Sequence, residues 1–254
     1  GRMTGLPPDF LARSFAHRGL HDAARGIVEN SRAAFAAAIA AGYGIELDVQ
    51  RSRDGVPVVF HDDRLDRLTA AAGPVAARDA SDLAEIALSG SSDRIEPLAD
   101  VLAAIGDRAP VLVEIKDQSG RASDGDVARR VGNVLCAARA DHGARVAAMS
   151  FNPAYMHALS WLPPDIPRGL TTTAAEDYPA RLPPEARAAL ARIEGVAPDM
   201  AFVSHHHRHL GSPRIAALKA AGASILCWTV RSPQEERAAR RIADQITFEG
   251  YAPS

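Results

Sequence analysis

Short apolar runs alternate with longer amphipathic ones along most of this chain. The short runs, at 13–17, 44–50, 57–61, 111–115, 145–150, 167–171, 200–204, 224–230 and 245–248, read as strands. Alanine-rich segments at 32–41, 98–105, 127–139, 184–193, 213–221 and 234–242 carry helical spacing between them. Gly42, Gly143 and Gly222 stand where helices end, and Asn30-Ser31 and Ser212-Pro213 stand where they begin. This alternation predicts an α/β fold, a parallel sheet covered by helices.

Nine strand candidates are one too many for an eight-stranded barrel. Asp54-Gly55 lies between the second and third and is a two-residue hairpin signal. Such a turn puts Asp48 opposite His61 and makes 57–61 a return strand. Removing it leaves eight, so the expected architecture is a (β/α)8 barrel with a β-hairpin after the second strand. Residues 63–96 fall outside the barrel count. They read as an excursion over the barrel mouth with one short helix at 82–88, within a single domain spanning 1–254.

Bulk properties narrow the function by exclusion. The 47% hydrophobic content is ample for a buried core, and the net charge of −2 comes from interspersed acidic and basic residues. A nucleic-acid partner is not expected without a basic stripe. No run reaches the roughly 18–20 apolar residues of a membrane span, and no signal-peptide plan is visible. Cys136 and Cys227 read as small buried hydrophobes. A cytoplasmic location is the expectation.

The candidate chemistry lies where apolar runs end. His17-Arg18-Gly19, Glu46-Leu47-Asp48 and His61-Asp62 close three of them, and Glu114-Ile115-Lys116 closes a fourth. In a barrel of this kind the carboxyl ends of the strands carry the active site. Glu46, Asp48 and Glu114 make an oxygen-only donor set, which favours a hard divalent cation, Mg²⁺ or Ca²⁺. His17 and His61 can act as an acid/base pair. Arg18 and Lys116 add positive charge where a phosphoryl transition state gains negative charge. Water and a substrate hydroxyl both remain possible nucleophiles.

Taken in order, His17-Arg18-Gly19, Glu29-Asn30-Ser31, Glu46-Leu47-Asp48-Val49, the stretch from Asp54 to Asp62, Glu114-Ile115-Lys116, Ser150-Phe151 and Trp228-Thr229-Val230 resemble the glycerophosphodiester phosphodiesterase family. The resemblance implies a TIM barrel, one divalent cation, and hydrolysis of a small-molecule glycerophosphodiester to sn-glycerol 3-phosphate and an alcohol. Carried over by motif, His17 and His61 are the acid/base pair and Glu46, Asp48 and Glu114 hold the metal. Arg18 and Lys116 meet the phosphate, and Trp228 lines the glycerol pocket. Val28 replaces the proline usual before Glu-Asn. Phe248-Glu249 replaces the usual Thr-Asp, a change expected to touch specificity more than catalysis.

Two other readings are carried forward. A lysophospholipid or sphingolipid phosphodiesterase keeps the chemistry but needs an apolar landing surface, and 63–96 has no rich aromatic cluster. A non-catalytic metal- or phosphate-binding barrel has no need of two opposed histidines. Glu29 and Asn30 read equally as capping, supporting or contact groups. The run His205-His206-His207-Arg208-His209 has no standard zinc spacing and reads as a solvated or substrate-rim loop, from which one histidine can reach the substrate, a reading that substitution of His205 tests.

Overall fold

The computed structural model describes residues 1–118 and 124–254. The strands are β1 (Phe15–His17), β2 (Gly44–Arg51), β3 (Pro57–Val59), β4 (Pro110–Ile115), β5 (Arg145–Ser150), β6 (Arg168–Thr172), β7 (Phe202–His206), β8 (Ser224–Val230) and β9 (Gln245–Phe248). They form a sheet in the order β1-β9-β8-β7-β6-β5-β4-β2-β3, and a parallel β1–β2 pairing closes eight of them into a barrel. Only β3 is antiparallel, hanging from β2 as the return strand.

The helices are α1 (Arg32–Ala41), α2 (Ala80–Leu83), α3 (Leu98–Ile105), α4 (Asp124–His142), α5 (Pro153–Ala158), α6 (Pro184–Ala191), α7 (Pro213–Ala220) and α8 (Pro233–Ala239). Side-chain oxygens set several of their starts. Ser31 Oγ accepts from Ala34 N at 3.1 Å to open α1, and Ser212 Oγ accepts from Ile215 N at 3.3 Å to open α7. The helix expected at 82–88 forms earlier and shorter, as α2. Sequence periodicity missed α5, six residues being too short for a pattern. Its start is still marked by Asn152 as the cap and Pro153 in the first turn. Among the described residues no helix is long and apolar enough to cross a membrane.

Strand alternation sorts side chains into two layers. Ile45, Leu47, Val49, Val111, Val113 and Ile115 point outward into the main core beneath the helices. Phe15, Leu112, Ala147, Met149, Phe202 and Leu226 point inward and fill the barrel. Leu6 and Phe10, from a segment with no strand or helix signal, join that inner cluster. Burying each such aliphatic or aromatic side chain contributes about 1.5–3 kcal/mol. Residues 63–96 have a small core of their own, with Leu65, Val75, Leu83, Leu88 and Ile95 packed on Val58 and Phe60 of the hairpin.

The hairpin register differs from the expected one. Val49 pairs with Val59, Gln50 with Val58 and Arg51 with Pro57. Asp48 therefore stands opposite Phe60, whose N–H donates to the Asp48 carbonyl at 3.0 Å, and not opposite His61. The loop has three residues, 53–55, with Gly55 in the left-handed region at φ 87°. Ser52 favours the longer loop by donating its hydroxyl to Asp54 Oδ1 at 2.6 Å while accepting from Val56 N at 2.8 Å. A Cβ at Gly55 would also lie 2.7 Å from the Arg130 guanidinium carbon. Gly55→Ala should destabilise the fold by about 1 kcal/mol or more. In a thermal melt, an unchanged midpoint would exclude that conformational demand.

Candidate active site

Around the carboxyl end of the barrel, inward positions of successive strands meet in one cavity of about 220 Å³. Register sets the contacts: His17 pairs with Glu46 across β1–β2, and Asp48 pairs with Glu114 across β2–β4. All of His17, Arg18, Glu46, Asp48, His61, Glu114, Lys116 and Trp228 line this cavity. His61 arrives beyond the end of the β3 ladder, held where Gln50 Nε2 donates to its carbonyl at 2.7 Å.

Glu46, Asp48 and Glu114 each offer an oxygen within 4.8 Å of the others, and all three are buried. Burial, with Asp48 and Glu114 adding like charge, pushes the Glu46 carboxyl well above its ordinary range. Burial alone would also raise Asp48, but Lys116, His61, Arg18 and His17 outweigh it and hold that carboxyl low. Lys116 Nζ stands 2.8 Å from Glu114 Oε2 and 3.4 Å from His61 Nε2. Burial works against its charge, but Glu114 and Asp48 keep it protonated. A hard, oxygen-only donor set with one carboxyl driven toward neutrality fits a divalent cation, which would relieve that repulsion.

Each histidine is oriented by a carboxylate. His17 Nδ1 lies 2.7 Å from Glu249 Oε1, and His61 Nδ1 lies 2.8 Å from Asp62 Oδ1. The hydrogen bond to His17 is the main force holding Glu249 down at about 2. Bonding to Arg67 is the first cause that does the same for Asp62, also at about 2. Both carboxylates are therefore anionic from mildly acid pH upward.

The sequence reading ties Phe248-Glu249 to specificity, yet Glu249 touches His17. Position 249 continues the inward series 245, 247, 249 of β9, so alternation could have found it. Arg67 was missed altogether. It reaches from the excursion to Glu29 Oε1 at 2.7 Å and Asp62 Oδ2 at 2.9 Å, and Glu29 in turn accepts from Arg18 Nη1 at 2.7 Å. Asn30 Nδ2 donates to Asp48 Oδ2 at 3.0 Å. Glu29 and Asn30 are thus supports for Arg18 and Asp48. Gly19 closes the motif after His17, because a Cβ there would sit 2.9 Å from the Ala34 carbonyl carbon.

The histidine run divides by parity. His205 turns outward, where its Nδ1 lies 2.6 Å from Thr172 Oγ1 and burial drives its pKa down to about 4. His206 turns inward and is the member of the run that lines the cavity, so His205 is not the one to substitute. Among the described residues the carboxylate triad is the one cluster with metal-binding geometry.

A wider chamber of about 680 Å³ adjoins the first and shares His61, Glu114, Lys116, Phe151 and Trp228 with it. Its outer wall carries Tyr178, Pro179, Leu182 and Leu190, from the segment after β6 and from α6. Fold and site together define a (β/α)8 barrel with an acidic, two-histidine pocket at its carboxyl end.

Residues 17–247 match the Glycerophosphoryl diester phosphodiesterase family, and the chain belongs to it. The chain is 37% identical over 112 residues to the glycerophosphodiester phosphodiesterase of Caldanaerobacter subterraneus subsp. tengcongensis, covering 41% of this chain and 44% of that one. It is 48% identical over 64 residues to the YqiK protein of Bacillus subtilis, covering 25% of each. The match thus spans less than half the length of either relative. In three dimensions it is similar to an Oleispira antarctica phosphodiesterase, solved in complex with the product sn-glycerol-3-phosphate. That likeness has a TM-score of 0.74 at 24% identity and covers 94% of this chain and 93% of the other.

Proposed function

We propose that the chain hydrolyses glycerophosphodiesters to sn-glycerol 3-phosphate and an alcohol, using His17 and His61 as acid and base. The observation that carries this reading is the pair of carboxylate-oriented histidines in one cavity with a buried carboxylate triad. Family membership and the product-bound Oleispira antarctica relative support it.

Glu46, Asp48 and Glu114 would hold one divalent cation, Mg²⁺ or Ca²⁺. When bound, the cation neutralises phosphate charge and polarises its P–O bonds. Arg18 and Lys116 bind the phosphate oxygens and oppose the charge that grows on them. The two chambers support one division of roles between the histidines. His61 borders both, and His17 borders only the smaller one. A diester placed with its phosphorus between them sends the leaving alcohol into the wider chamber, beside His61.

Glu249 accepts the Nδ1 proton of His17, which leaves Nε2 free to take a proton from the nucleophile. Asp62 orients His61 in the same way and stabilises its imidazolium, so that Nε2–H can protonate the departing alkoxide. The nucleophile is water or a substrate hydroxyl, and the second choice releases a cyclic phosphate in a single turnover. Trp228 lines the pocket for the glycerol end.

The wider chamber favours a second reading. Its Tyr178, Pro179, Leu182 and Leu190 wall offers the apolar surface that a lysophospholipid requires and that 63–96 lacks. One panel separates the readings: glycerophosphodiesters and a lysophospholipid, each with EDTA, Mg²⁺ or Ca²⁺. The expected result is cation-dependent release of sn-glycerol 3-phosphate from the glycerophosphodiesters. Turnover of the lysophospholipid alone would select the second reading, and full activity in EDTA would remove the cation from both.

A further inference from the structure

Arg67 stands behind the site and lines neither chamber. The turn that carries it is fixed on both sides. Leu65 and Leu68 pack into the small core of the excursion, and Leu65 N donates to the Gly73 carbonyl at 2.8 Å. Thr69 Oγ1 donates to the Leu65 carbonyl at 2.8 Å, and Ser89 N donates to the Leu68 carbonyl at 2.8 Å. The Arg67 side chain therefore leaves the excursion from a constrained point.

From there the guanidinium forks onto two carboxylates. Nε and Nη2 donate to Asp62 Oδ2 and Oδ1 at 2.9 and 3.0 Å. Nη1 and Nη2 donate to Glu29 Oε1 and Oε2 at 2.7 and 3.1 Å. A planar guanidinium can present its donors this way, and a lysine ammonium cannot. The two oxygens bonded to Nη2 are also the two that serve the site. Asp62 Oδ1 meets His61 Nδ1 at 2.8 Å, and Glu29 Oε2 accepts from Arg18 Nη1 at 2.7 Å. Burial works against charge on Glu29, but Arg67 and Arg18 outweigh it and keep that carboxyl low. One nitrogen thus stands between the support of a histidine and the support of a phosphate-binding arginine.

We infer that Arg67 is a positioning residue with two arms: through Asp62 it aims His61 at the leaving alcohol, and through Glu29 it sets Arg18 against the phosphate. This assignment rests on the phosphodiesterase reading, with His61 as the acid. Tying both supports to one guanidinium fixes the acid relative to the phosphate anchor, where small displacements cost rate steeply. The arms touch different steps. A misaimed acid matters only as far as the leaving group needs a proton. An alkoxide leaves poorly without one, whereas p-nitrophenolate departs as the anion. A misplaced Arg18 weakens the hold on the phosphate whatever the leaving group.

The test uses two esters of sn-glycerol 3-phosphate, one with ethanol and one with p-nitrophenol, on the full chain with Mg²⁺ or Ca²⁺ present. Arg67→Met should lower kcat for the ethyl ester by about 10–100-fold. For the p-nitrophenyl ester the loss should stay below about threefold. Asp62→Asn should show the same selectivity, and adding Arg67→Met to it should deepen that selectivity by less than about twofold, because both act on one path. Calorimetry reads the other arm without turnover. Arg67→Met should weaken sn-glycerol 3-phosphate binding about fivefold, and should weaken it little further once Glu29→Gln is in place. Equal losses for the two esters would overturn the assignment, since a general loss of structure has that signature. So would a selectivity that adds in full to that of Asp62→Asn, or unchanged binding of the phosphate. Those results come from an active enzyme and leave the phosphodiesterase reading intact. A wild-type chain that cleaves neither ester would reject that reading, and the His61 arm with it.

Discussion

His17→Ala is expected to lower kcat for glycerophosphodiester hydrolysis by about 10²–10⁴-fold, the range for loss of one general acid or base. Cation binding should survive the change, because the Glu46, Asp48 and Glu114 oxygens still lie within reach of one another. Steady-state kinetics paired with calorimetric titration of Mg²⁺ or Ca²⁺ separates the two effects. Glu249→Gln gives a smaller loss. It keeps a hydrogen-bond partner for His17 Nδ1 but removes the negative charge that stabilises the imidazolium. The ordering matters as much as the sizes. If Glu249→Gln equalled His17→Ala in kcat, then Glu249 itself would handle the proton. Near-wild-type turnover from His17→Ala would remove that histidine from the chemistry. Loss of cation binding together with turnover would make it a structural support of Glu46.

The barrel and most of its site were legible because strand alternation and barrel closure are local rules applied many times over. Glu46 and Asp48 share a face of β2 by being two residues apart, and the same rule aligns Glu114 with Lys116. Register then brings the pairs together without any further signal. The hairpin was read one residue out because Asp54-Gly55 favours a two-residue turn in general. Here the Ser52 hydroxyl, which bonds both Asp54 and Val56, selects a three-residue loop. That choice depends on side-chain geometry which the dipeptide does not encode. His61 reached the cavity regardless, since it follows the ladder and is positioned by Gln50.

What sequence patterns could not supply were contacts between distant segments. Arg67 meets Glu29 across 38 residues and then Asp62, joining the supports of Arg18 to those of His61. An arginine in a polar stretch has no periodic signature to mark it. Residues 63–96 therefore do more than wall the mouth: their small core anchors the arginine that fixes Asp62. Glu249 shows the opposite failure. Its alternation signal is present, but its departure from the family pattern points to substrate choice and not to position. The inward series of β9 leads on to the carboxylate that His17 Nδ1 meets at 2.7 Å.

Glu46→Gln is expected to raise the melting temperature of the cation-free protein while abolishing both cation binding and turnover. The sign follows from the raised carboxyl of Glu46. A group whose folded pKa exceeds its unfolded value, about 4.3 for glutamate, contributes its full stability below that value. The contribution is lost as pH rises through the folded pKa. At neutral pH the cation-free fold therefore carries the cost of crowding Glu46 beside Asp48 and Glu114 in a buried site. Glutamine removes one charge, keeps the shape, and retains an oxygen for the Arg18 N–H, which Glu46 Oε2 accepts at 3.1 Å. In the wild-type chain a cation does the same work by linkage, adding about 2.7 kcal/mol at one hundred times its Kd. At about 2–4 °C per kcal/mol in a protein of this size, both effects are resolvable by scanning calorimetry at pH 7. The wild-type midpoint should climb from EDTA to saturating Mg²⁺ or Ca²⁺. The variant should start higher in EDTA and stay there when either ion is added. A variant that melts below the wild type in EDTA, with a wild-type midpoint indifferent to both ions, would mean that Arg18 and Lys116 already neutralise the triad. The three carboxylates would then serve as the anionic framework that holds those two cations against the phosphate.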